Sequence, residues 1–362
     1  DTQYFLKMFG ATRTLIEAPS GYSASVAGSW DYCPTGRIKW FLLGQGDRVA
    51  LRMRDLQGSQ VFRTKGDTGF QAVSWTDRWE AWKYELNIGG GQVTREESMG
   101  AGSWWTKRHN RQFSFTAARD AGLFLWRSGA EGFFERGRFS RTLTASETGG
   151  EFAGVWVTSS RERLFSAWSE LETMILPDVR LVAGARGWDS QLANQAGIDP
   201  RLSLTWQPRR GLTYSLAGGR YQQIPDAADY TRAVSPWPAM RADQVIASVE
   251  WRRSGRLVRV ETYEKRYREL VGPDRDFVSR GDGHGYARGA DLMVKTPLVA
   301  EIKSRLTWSF VDAKRTDPTT RVQAAAPWAV RNSASLILDR AIGHWQVSVA
   351  GRWATGRAFT PI

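Results

Sequence analysis

The chain of 362 residues has a single cysteine, Cys33, and no long apolar run. One cysteine cannot build a disulfide framework, so other interactions must hold the fold together. The longest clean apolar stretches, such as residues 40–43, are far shorter than the roughly 18 residues that a membrane helix needs. A disulfide-stabilised scaffold and a helical membrane protein are both excluded.

Signs of a second domain are also missing. We find no linker, no low-complexity tract and no repeat with a period of roughly 20 to 50 residues. With 41% hydrophobic and 12% aromatic residues, the chain is too apolar to be intrinsically disordered. We therefore treat residues 1–362 as a single domain.

Basic residues outnumber acidic ones. The chain has 50 Lys and Arg but 37 Asp and Glu, which gives a formal net charge of +13. Nine of the 50 are Lys and 41 are Arg. Such an excess suits nucleic acid, anionic lipid head groups or an anionic solute. The arginines are spread singly along the chain rather than concentrated in one run or helix, which argues against a nucleic-acid partner.

Motifs for catalysis or metal binding are lacking as well. The three histidines, at 109, 284 and 344, have no other metal-ligating residue at suitable spacing. The acidic positions 274, 276 and 282 could bind calcium, but they do not follow the EF-hand pattern, and a solvated loop is the favoured interpretation. No nucleophile-elbow or dinucleotide-binding pattern occurs. We expect no enzymatic activity, no cofactor and no metal site.

The hydrophobic pattern that is present has a period of two, which predicts strands with one apolar and one polar face. Residues 82–88 and 202–206 are clear examples. Short turns at 207–211 and 253–255 contrast with longer predicted loops at 225–241 and 270–289. Brief turns at one end and extended loops at the other are typical of an outer-membrane β-barrel.

Aromatic residues favour the barrel over a soluble β-sandwich. Trp and Tyr stand at or near predicted strand ends, as at Trp30, Trp79, Trp82, Trp206 and Trp345. Amphipathic rings are most stable at head-group depth, so such positions indicate aromatic girdles around a lipid-facing wall. Ordinary aromatic packing in a soluble core stays open as the alternative.

From residue 180 onward, the order of motifs resembles the barrel of a TonB-dependent outer-membrane transporter. A strand ending in Gly-x-Arg at 184–186 precedes a Pro-Arg strand at 199–206, and the segment 219–225 reads Gly-Arg-Tyr-Gln-Gln-Ile-Pro. Residues 356–361 are similar to the Ser-Gly-Arg-Pro-Tyr-Thr-Pro segment of the family. The residues that carry these motifs are Pro200, Arg201, Gly219, Arg220, Gln223, Pro225, Gly356, Arg357, Thr360 and Pro361.

The resemblance implies an all-β fold, a large antiparallel transmembrane β-barrel. A family barrel has about 22 strands, whereas roughly 16 to 18 fit this chain at the usual strand length. Residues 1–180 match less specifically, and we recognise neither a TonB box nor a plug domain nor a final aromatic strand. We therefore expect a single incomplete barrel domain over residues 1–362, without the plug and the last strands.

Basic residues on the polar parity of the predicted strands are the candidate functional residues, because those positions would point into the lumen. There they could pair with carboxylates of a plug, which we favour, or attract an anionic solute. Glu85, Glu250 and Glu261 share this parity and offer a third possibility, ion pairs within the wall. The predicted lumen-facing cations are Arg48, Arg52, Lys83, Arg186, Arg259, Lys303 and Arg305.

The resemblance further implies active import across a Gram-negative outer membrane. The solute would be a scarce compound such as a siderophore, cobalamin, a glycan or a peptide, and TonB would act through the plug. The implied partners are outer-membrane lipid and lipopolysaccharide, the plug, TonB and the solute. The alternatives are a passive outer-membrane channel and a soluble β-rich glycan-binding protein.

Overall fold

A computed structural model describes residues 15–55, 58–143, 154–226, 237–273, 279–298, 301–316, 321–326 and 328–357. The described part folds into one antiparallel sheet of 17 strands. In chain order the strands are β1 (Leu15–Asp31), β2 (Arg37–Asp55), β3 (Gly58–Trp79), β4 (Trp82–Met99), β5 (Gly102–Asp120), β6 (Phe124–Leu143), β7 (Gly154–Leu176), β8 (Val179–Ser190), β9 (Gln195–Arg209), β10 (Leu212–Gln223), β11 (Met240–Arg253), β12 (Arg256–Pro273), β13 (Ser279–Pro297), β14 (Lys303–Thr316), β15 (Gln323–Ala325), β16 (Asn332–Ile342) and β17 (Trp345–Ala354).

Apart from β15 and β16, each strand pairs with its neighbour in sequence, which makes the sheet an up-and-down meander. The β2–β3 ladder runs without interruption from the pair Arg37 and Thr76 to the pair Asp55 and Gly58. The short strand β15 extends only the end of β14, and β16 pairs with the rest of β14. The described part of the chain contains no helix that is long and apolar enough to cross a membrane.

The two faces of the sheet differ in polarity. Cross-strand pairing aligns Trp40, Val73, Ile88 and Phe113 in one row that crosses β2 to β5. Val73 is 49% exposed and Ile88 is 55% exposed, although both lie in the middle of long strands. We call the face that carries this row the exterior face and the opposite one the inner face.

A buried apolar core is almost lacking in the described part of the chain, where the large buried apolar residues are Phe139, Trp188, Trp237 and Leu257. The accessible surface is 24194 Å², whereas a compact soluble monomer of 40.7 kDa would expose about 15,000 Å². A soluble sandwich would bury its apolar face against a second sheet. Here the apolar face is left open, as a wall surrounded by lipid requires.

The connections at the two ends of the strands differ in length. One end carries two-residue turns at 80–81, 177–178, 210–211, 254–255 and 343–344. The opposite end has two-residue connections at 56–57 and 100–101, but it also has the two longest connections, 144–153 between β6 and β7 and 224–239 between β10 and β11. All connections longer than five residues lie at this second end, in agreement with the asymmetry predicted from the sequence.

The predicted loop at 270–289 is wrong in extent. Strand β12 continues to Pro273 and β13 begins at Ser279, so most of that segment pairs across the β12–β13 ladder. Its glycines allow close backbone approach: a Cβ at Gly283 would lie 2.6 Å from the carbonyl oxygen of Leu270. In the sequence these glycines indicated a loop. In the structure they lie within paired strands, where the neighbouring backbone leaves no room for a side chain.

One connection at the short-turn end, between β1 and β2, is fixed by side-chain hydrogen bonds. The Tyr32 hydroxyl donates to Oδ2 of Asp77 at 2.5 Å and accepts from Nε1 of Trp75 at 2.7 Å. The Thr35 hydroxyl donates to the other oxygen of Asp77 at 2.8 Å. The bond to Asp77 raises the pKa of Tyr32. These contacts attach the β1–β2 turn to β3.

Candidate functional site

The inner face is the candidate functional surface, because polar side chains line it from strand to strand. One cross-strand row, formed by direct register partners from β3 to β7, has no large apolar member. Asn87 Nδ2 donates to Ser114 Oγ at 3.2 Å and to Glu85 Oε1 at 2.9 Å. The row consists of Ser74, Asn87, Ser114, Glu131 and Ser166.

Five of the predicted lumen-facing cations lie on this inner face. Lys83 alternates with Trp82 and Tyr84, whose register partners belong to the exterior face. Arg186 lies opposite Trp168 of β7 and Asp199 of β9. By the same count of register, Arg259, Lys303 and Arg305 also have the inner parity.

Arg48 and Arg52 require a correction, because the register places them on the exterior face. Both have the parity of Trp40 and Leu42 in β2, and no irregularity interrupts the β2–β3 ladder between them. Val49 and Leu51, which the local pattern suggested were lipid-facing, lie on the inner face. The strand is 19 residues long, whereas about 9 to 11 residues span a bilayer. The two arginines therefore lie beyond the apolar band, on the outside of the wall.

Part of the inner charge is neutralised within the wall. Near the short turns, Arg127 bridges Glu170 at 2.7 Å and Glu172 at 2.9 Å, and Arg180 reaches Glu172 at 3.2 Å. Arg186 donates to Ser166 at 3.0 Å and approaches Glu131 at 3.4 Å. Ion pairing within the wall, one of the three possibilities raised by the sequence, thus applies to these strands.

Two of the three acidic candidates, Glu250 and Glu261, also form ion pairs within the wall, whereas Glu85 accepts a hydrogen bond from Asn87. Arg259 pairs with Glu261 at 2.6 Å, and Arg252 pairs with Glu250 at 3.1 Å. By contrast, Lys83, Lys303 and Arg305 form no ion pair with any carboxylate of the described residues. These three remain the inner cations open to a plug or a solute.

Six of the ten family-motif residues lie in or next to the β9–β10 pair. Arg201 stacks on the Tyr221 ring, 4.6 Å from its centroid, and Gly219 is the register partner of Arg201. Arg220 is on the exterior parity and bonds Asp243 at 3.1 Å. Pro200 lies in β9, Gln223 ends β10, Pro225 is buried and Arg357 forms a bridge with Val330 just after Gly356. Thr360 and Pro361 lie outside the described residues.

A buried polar group at β8 and β9 was missed by sequence reasoning. Asp199 is 1% exposed, and no side chain donates a hydrogen bond to its carboxylate, which the backbone N–H of Gln222 approaches. Its register partner is Arg186, whose Nε lacks a partner, as does Nε1 of the neighbouring Trp188. The sequence shows Asp199 only as part of an Asp-Pro-Arg motif, so its burial was not predictable from the pattern.

The mouth of the wall on the long-loop side contains a long-range ionic contact. Arg108 of β5 reaches Glu135 of β6 at 3.1 Å and Asp226 at 2.7 Å. Asp226 follows β10, five strands away, so the segment after β10 folds inward to meet the inner face of β5. This contact narrows the opening above the inner face.

Only one of the three candidate calcium residues lies in the described part of the chain. Asp274 and Asp276 lie outside the described residues, while Asp282 pairs with Arg321 at 2.6 Å. Within the described ranges there is no group of three or more His, Cys, Asp or Glu side chains that could hold a metal ion.

The ion-pair cluster of Arg127 provides a stability test. We expect Arg127→Gln to lower the free energy of unfolding by about 1 kcal/mol, because two carboxylates lose a donor in a half-exposed setting. Urea unfolding of the protein in detergent micelles measures this change. Arg305→Gln is the matched control, and we expect it to change stability by less than about 0.5 kcal/mol. Equal effects of the two substitutions would contradict a stabilising cluster.

No family model and no curated protein matches this sequence. Several solved structures resemble its fold. Copper transporter OprC has 11% identity and a TM-score of 0.73, with 92% of this chain and 59% of that chain covered. The ferric yersiniabactin uptake receptor FyuA from Yersinia pestis has 12% identity and a TM-score of 0.73, with 93% and 59% covered. The alcaligin outer membrane receptor FauA from Bordetella pertussis has 11% identity and a TM-score of 0.69, with 93% and 60% covered.

These likenesses define the fold. The chain has the antiparallel transmembrane β-barrel fold of the barrel part of TonB-dependent outer-membrane receptors. The sequence-based fold class is therefore confirmed, and 17 described strands fall within the predicted range. The chain spans about 59% of the length of OprC.

Proposed function

We propose that this chain is the barrel portion of a TonB-dependent importer in a Gram-negative outer membrane. The observation that carries the proposal is the 17-stranded wall with a lipid-compatible exterior and a polar, charged inner face. The similar structures include a copper transporter and a ferric yersiniabactin uptake receptor by name. Both names support the uptake of a scarce solute rather than catalysis.

The inner cations suggest how the wall takes part. Lys83, Lys303 and Arg305 are available to carboxylates of a plug, which remains the favoured partner, or to an anionic solute. The pairs around Arg127 and Arg186 hold neighbouring strands together instead. In this proposal the barrel performs no chemistry: the loops and the plug bind the solute, and TonB acts through the plug.

The main alternative is a passive outer-membrane channel, and the test separates the two. The full-length protein is expressed in a Gram-negative strain that lacks its own ferric siderophore receptors, with and without a functional TonB. Using a mixture of radiolabelled ferric hydroxamate and catecholate siderophores, we expect accumulation only in the strain with TonB. Equal accumulation in both strains would support the passive channel. No accumulation in either strain would reject siderophore complexes and leave cobalamin, glycans and peptides as the solutes to test in the same strains.

A further inference from the structure

At the end of the wall that carries the long connections, strand β7 has no neighbouring strand on one of its two sides. Its ladder with β6 extends to the pair Leu143 and Gly154, whereas its ladder with β8 ends ten residues earlier, at the pair Leu164 and Ser190. No other strand of the described part pairs with β7. We call residues 155–161 the free edge of β7, because they pair with β6 alone.

The backbone of the free edge has hydrogen-bonding groups that no described residue satisfies. The carbonyl oxygen of Arg163 accepts from the backbone N–H of Gln191 at 3.1 Å, so the backbone groups of Arg163 point to the β8 side. Successive residues of a strand direct these groups to opposite sides. The residues that share the orientation of Arg163, and therefore face the open side, are Val155, Val157, Ser159 and Arg161. Such an unpaired row is a template for a further strand.

Side-chain exposure agrees with the missing neighbour. Val155 and Val157 belong to the exterior face and are 66% and 72% exposed. Val73 is an exterior valine with a paired strand on each side, and it is 49% exposed. The valines of the free edge thus lack the cover that a second neighbouring strand gives.

The free edge lies beyond the apolar band. Trp126, near the short turns on the exterior of β6, has Leu171 as its register partner, and Val157 lies 14 residues before Leu171 in β7. At about 3.3 Å per residue and a strand tilt of about 40°, this separation is about 35 Å along the membrane normal. The apolar band of an outer-membrane barrel is only about 25 Å tall, so the free edge is in water.

Two other strands, β1 and β17, also have one unpaired side in the described part of the chain. Both strands cross the apolar band, where only another barrel strand can satisfy open backbone groups. The free edge of β7 differs from them, because a water-soluble partner can reach it.

The described parts of the nearby connections do not cover the free edge. The connection between β8 and β9 spans only residues 191–194, and its Leu192 donates its backbone N–H to Oε2 of Glu162 at 2.9 Å, just below the free edge. Asp226, which follows β10, contacts Arg108 on the inner face of β5. These segments lie below the free edge or inside the wall.

The sequence of the free edge favours pairing. Residues 155–160 read Val-Trp-Val-Thr-Ser-Ser and contain neither a charge nor a proline. Exposed edges of natural sheets are usually protected by charges, proline or a β-bulge. No bulge interrupts the β6–β7 ladder here, and β-branched residues suit a paired strand. A segment with these properties would be an aggregation hazard unless a partner covers it.

One charge at the lower end of the free edge indicates what that partner carries. Arg161 lies directly opposite Arg136, and such like-charge partners destabilise a sheet. Arg161 forms no ion pair with a carboxylate in the part of the chain that the structure describes. An acidic side chain on an added strand, opposite Arg161, would compensate this charge.

We propose that the free edge of β7 docks an extended segment of another polypeptide at the cell surface, which adds to the sheet as an antiparallel strand. Main-chain hydrogen bonds supply the affinity in this mode of recognition, and alternate side chains supply the specificity. The segment has apolar residues opposite Val155 and Val157 and an acidic residue opposite Arg161. These three side chains point away from the lumen, so the partner is a docked protein rather than the transported solute. The inference goes beyond the proposed function and does not require transport.

The test uses an acetylated peptide, Glu-Thr-Thr-Thr-Val-Thr-Val, with a C-terminal fluorophore, and measures its binding to the full-length protein in zwitterionic micelles by fluorescence anisotropy. In antiparallel register its first, fifth and seventh residues lie opposite Arg161, Val157 and Val155. N-methylation of its third and fifth residues removes N–H groups that face the free edge, whereas N-methylation of its second and fourth residues removes groups that face away. We expect the first modification to weaken binding at least about tenfold and the second to change it by less than about twofold.

Variants of the protein test the same contact from the other side. Val157→Pro removes an N–H that faces the open side and keeps the ladder with β6, so we expect it to bind the peptide at least about tenfold more weakly. The matched control Val157→Ala keeps the N–H, and we expect a loss of at most about threefold. Arg161→Gln should weaken binding about threefold, and this difference should vanish for a peptide with Gln in place of Glu. Heat-modifiable gel mobility reports the folding of each variant.

Several results would overturn the proposal. These are equal binding of the two N-methylated peptides, undiminished binding to folded Val157→Pro, or no binding of the unmodified peptide at about 1 mM. If Val157→Pro does not fold, the two N-methylated peptides decide the question on the unaltered protein. Binding that weakens as the protein concentration rises would assign the free edge to a second copy of this chain.

Uptake by cells separates a docked protein from a solute. Accumulation of the labelled peptide only in the strain with TonB would identify the ligand as a solute and reject the docked protein. The anisotropy measurement does not involve TonB, so failure of the proposed transport function is recognised separately.

Discussion

Replacing Ile88 by Arg is expected to destabilise the protein by about 2 to 4 kcal/mol and to reduce its assembly into the outer membrane. Ile88 is 55% exposed on the exterior face, six residues from Trp82 and thus near the middle of the apolar band. A guanidinium there would lie in hydrocarbon, which costs about this amount at the bilayer midplane. Urea unfolding from lipid vesicles and the amount of heat-modifiable protein in outer-membrane fractions measure both effects.

The adjacent residue provides the control for this prediction. Asn87 lies on the inner face next to Ser114, so Asn87→Arg introduces the same side chain at the same depth on the polar side. We expect Asn87→Arg to change the free energy of unfolding by less than about 1 kcal/mol, since lumen positions tolerate charge. Similar costs for the two substitutions would show that parity does not separate lipid from water.

The second large effect is expected at Gly211, in the turn between β9 and β10. Its φ is +82°, a conformation that side chains disfavour, and an added Cβ would overlap the carbonyl oxygen of Arg252. The carbonyl of Gly211 also accepts from the backbone N–H of Arg252 at 2.6 Å, so neither backbone can move away freely. We expect Gly211→Ala to cost about 3 kcal/mol, from the left-handed backbone and the steric overlap together.

Gly255 separates these two contributions. It has a φ of +76° in the next two-residue turn on the same end of the barrel, but nothing lies within 4 Å of an added Cβ. Gly255→Ala should therefore cost only about 1 kcal/mol, the conformational part. Unfolding of both variants under identical conditions gives the comparison. If they are equally destabilised, the close approach of Arg252 has no energetic role.

The alternating pattern predicted the fold class and most of the faces, because it follows from a wall between two different media. It worked where a strand crosses the apolar band, as for Lys83 between Trp82 and Tyr84. It failed in β2 beyond Gly46. There the strand leaves the membrane, and the apolar parity changes from Trp40 and Leu42 to the opposite side. Local alternation shows that side chains point to opposite faces in turn. Which parity is apolar depends on whether that part of the strand lies inside the bilayer.

Other contacts between charged residues depend on the pairing of strands that are far apart in the sequence. In the sequence, Arg136 and Arg161 are single basic residues far apart, and only the β6–β7 register makes them direct partners. The same holds for Arg108 and Asp226, which are 118 residues apart. A count of parity along each strand, started at an aromatic girdle residue, would have found the exterior position of Arg48. Such a count would not have shown which charged residues of different strands lie next to each other.

Spin-label accessibility at two neighbouring positions measures directly which medium each face contacts. In a Cys33→Ser background, Val73→Cys and Ser74→Cys carry nitroxides on opposite faces of β3 in the reconstituted full-length protein. We predict that the label at 73 collides mainly with molecular oxygen dissolved in the bilayer and that the label at 74 collides mainly with a water-soluble nickel complex. The reverse result, or equal access of nickel to both labels, would contradict a wall with lipid on its apolar side.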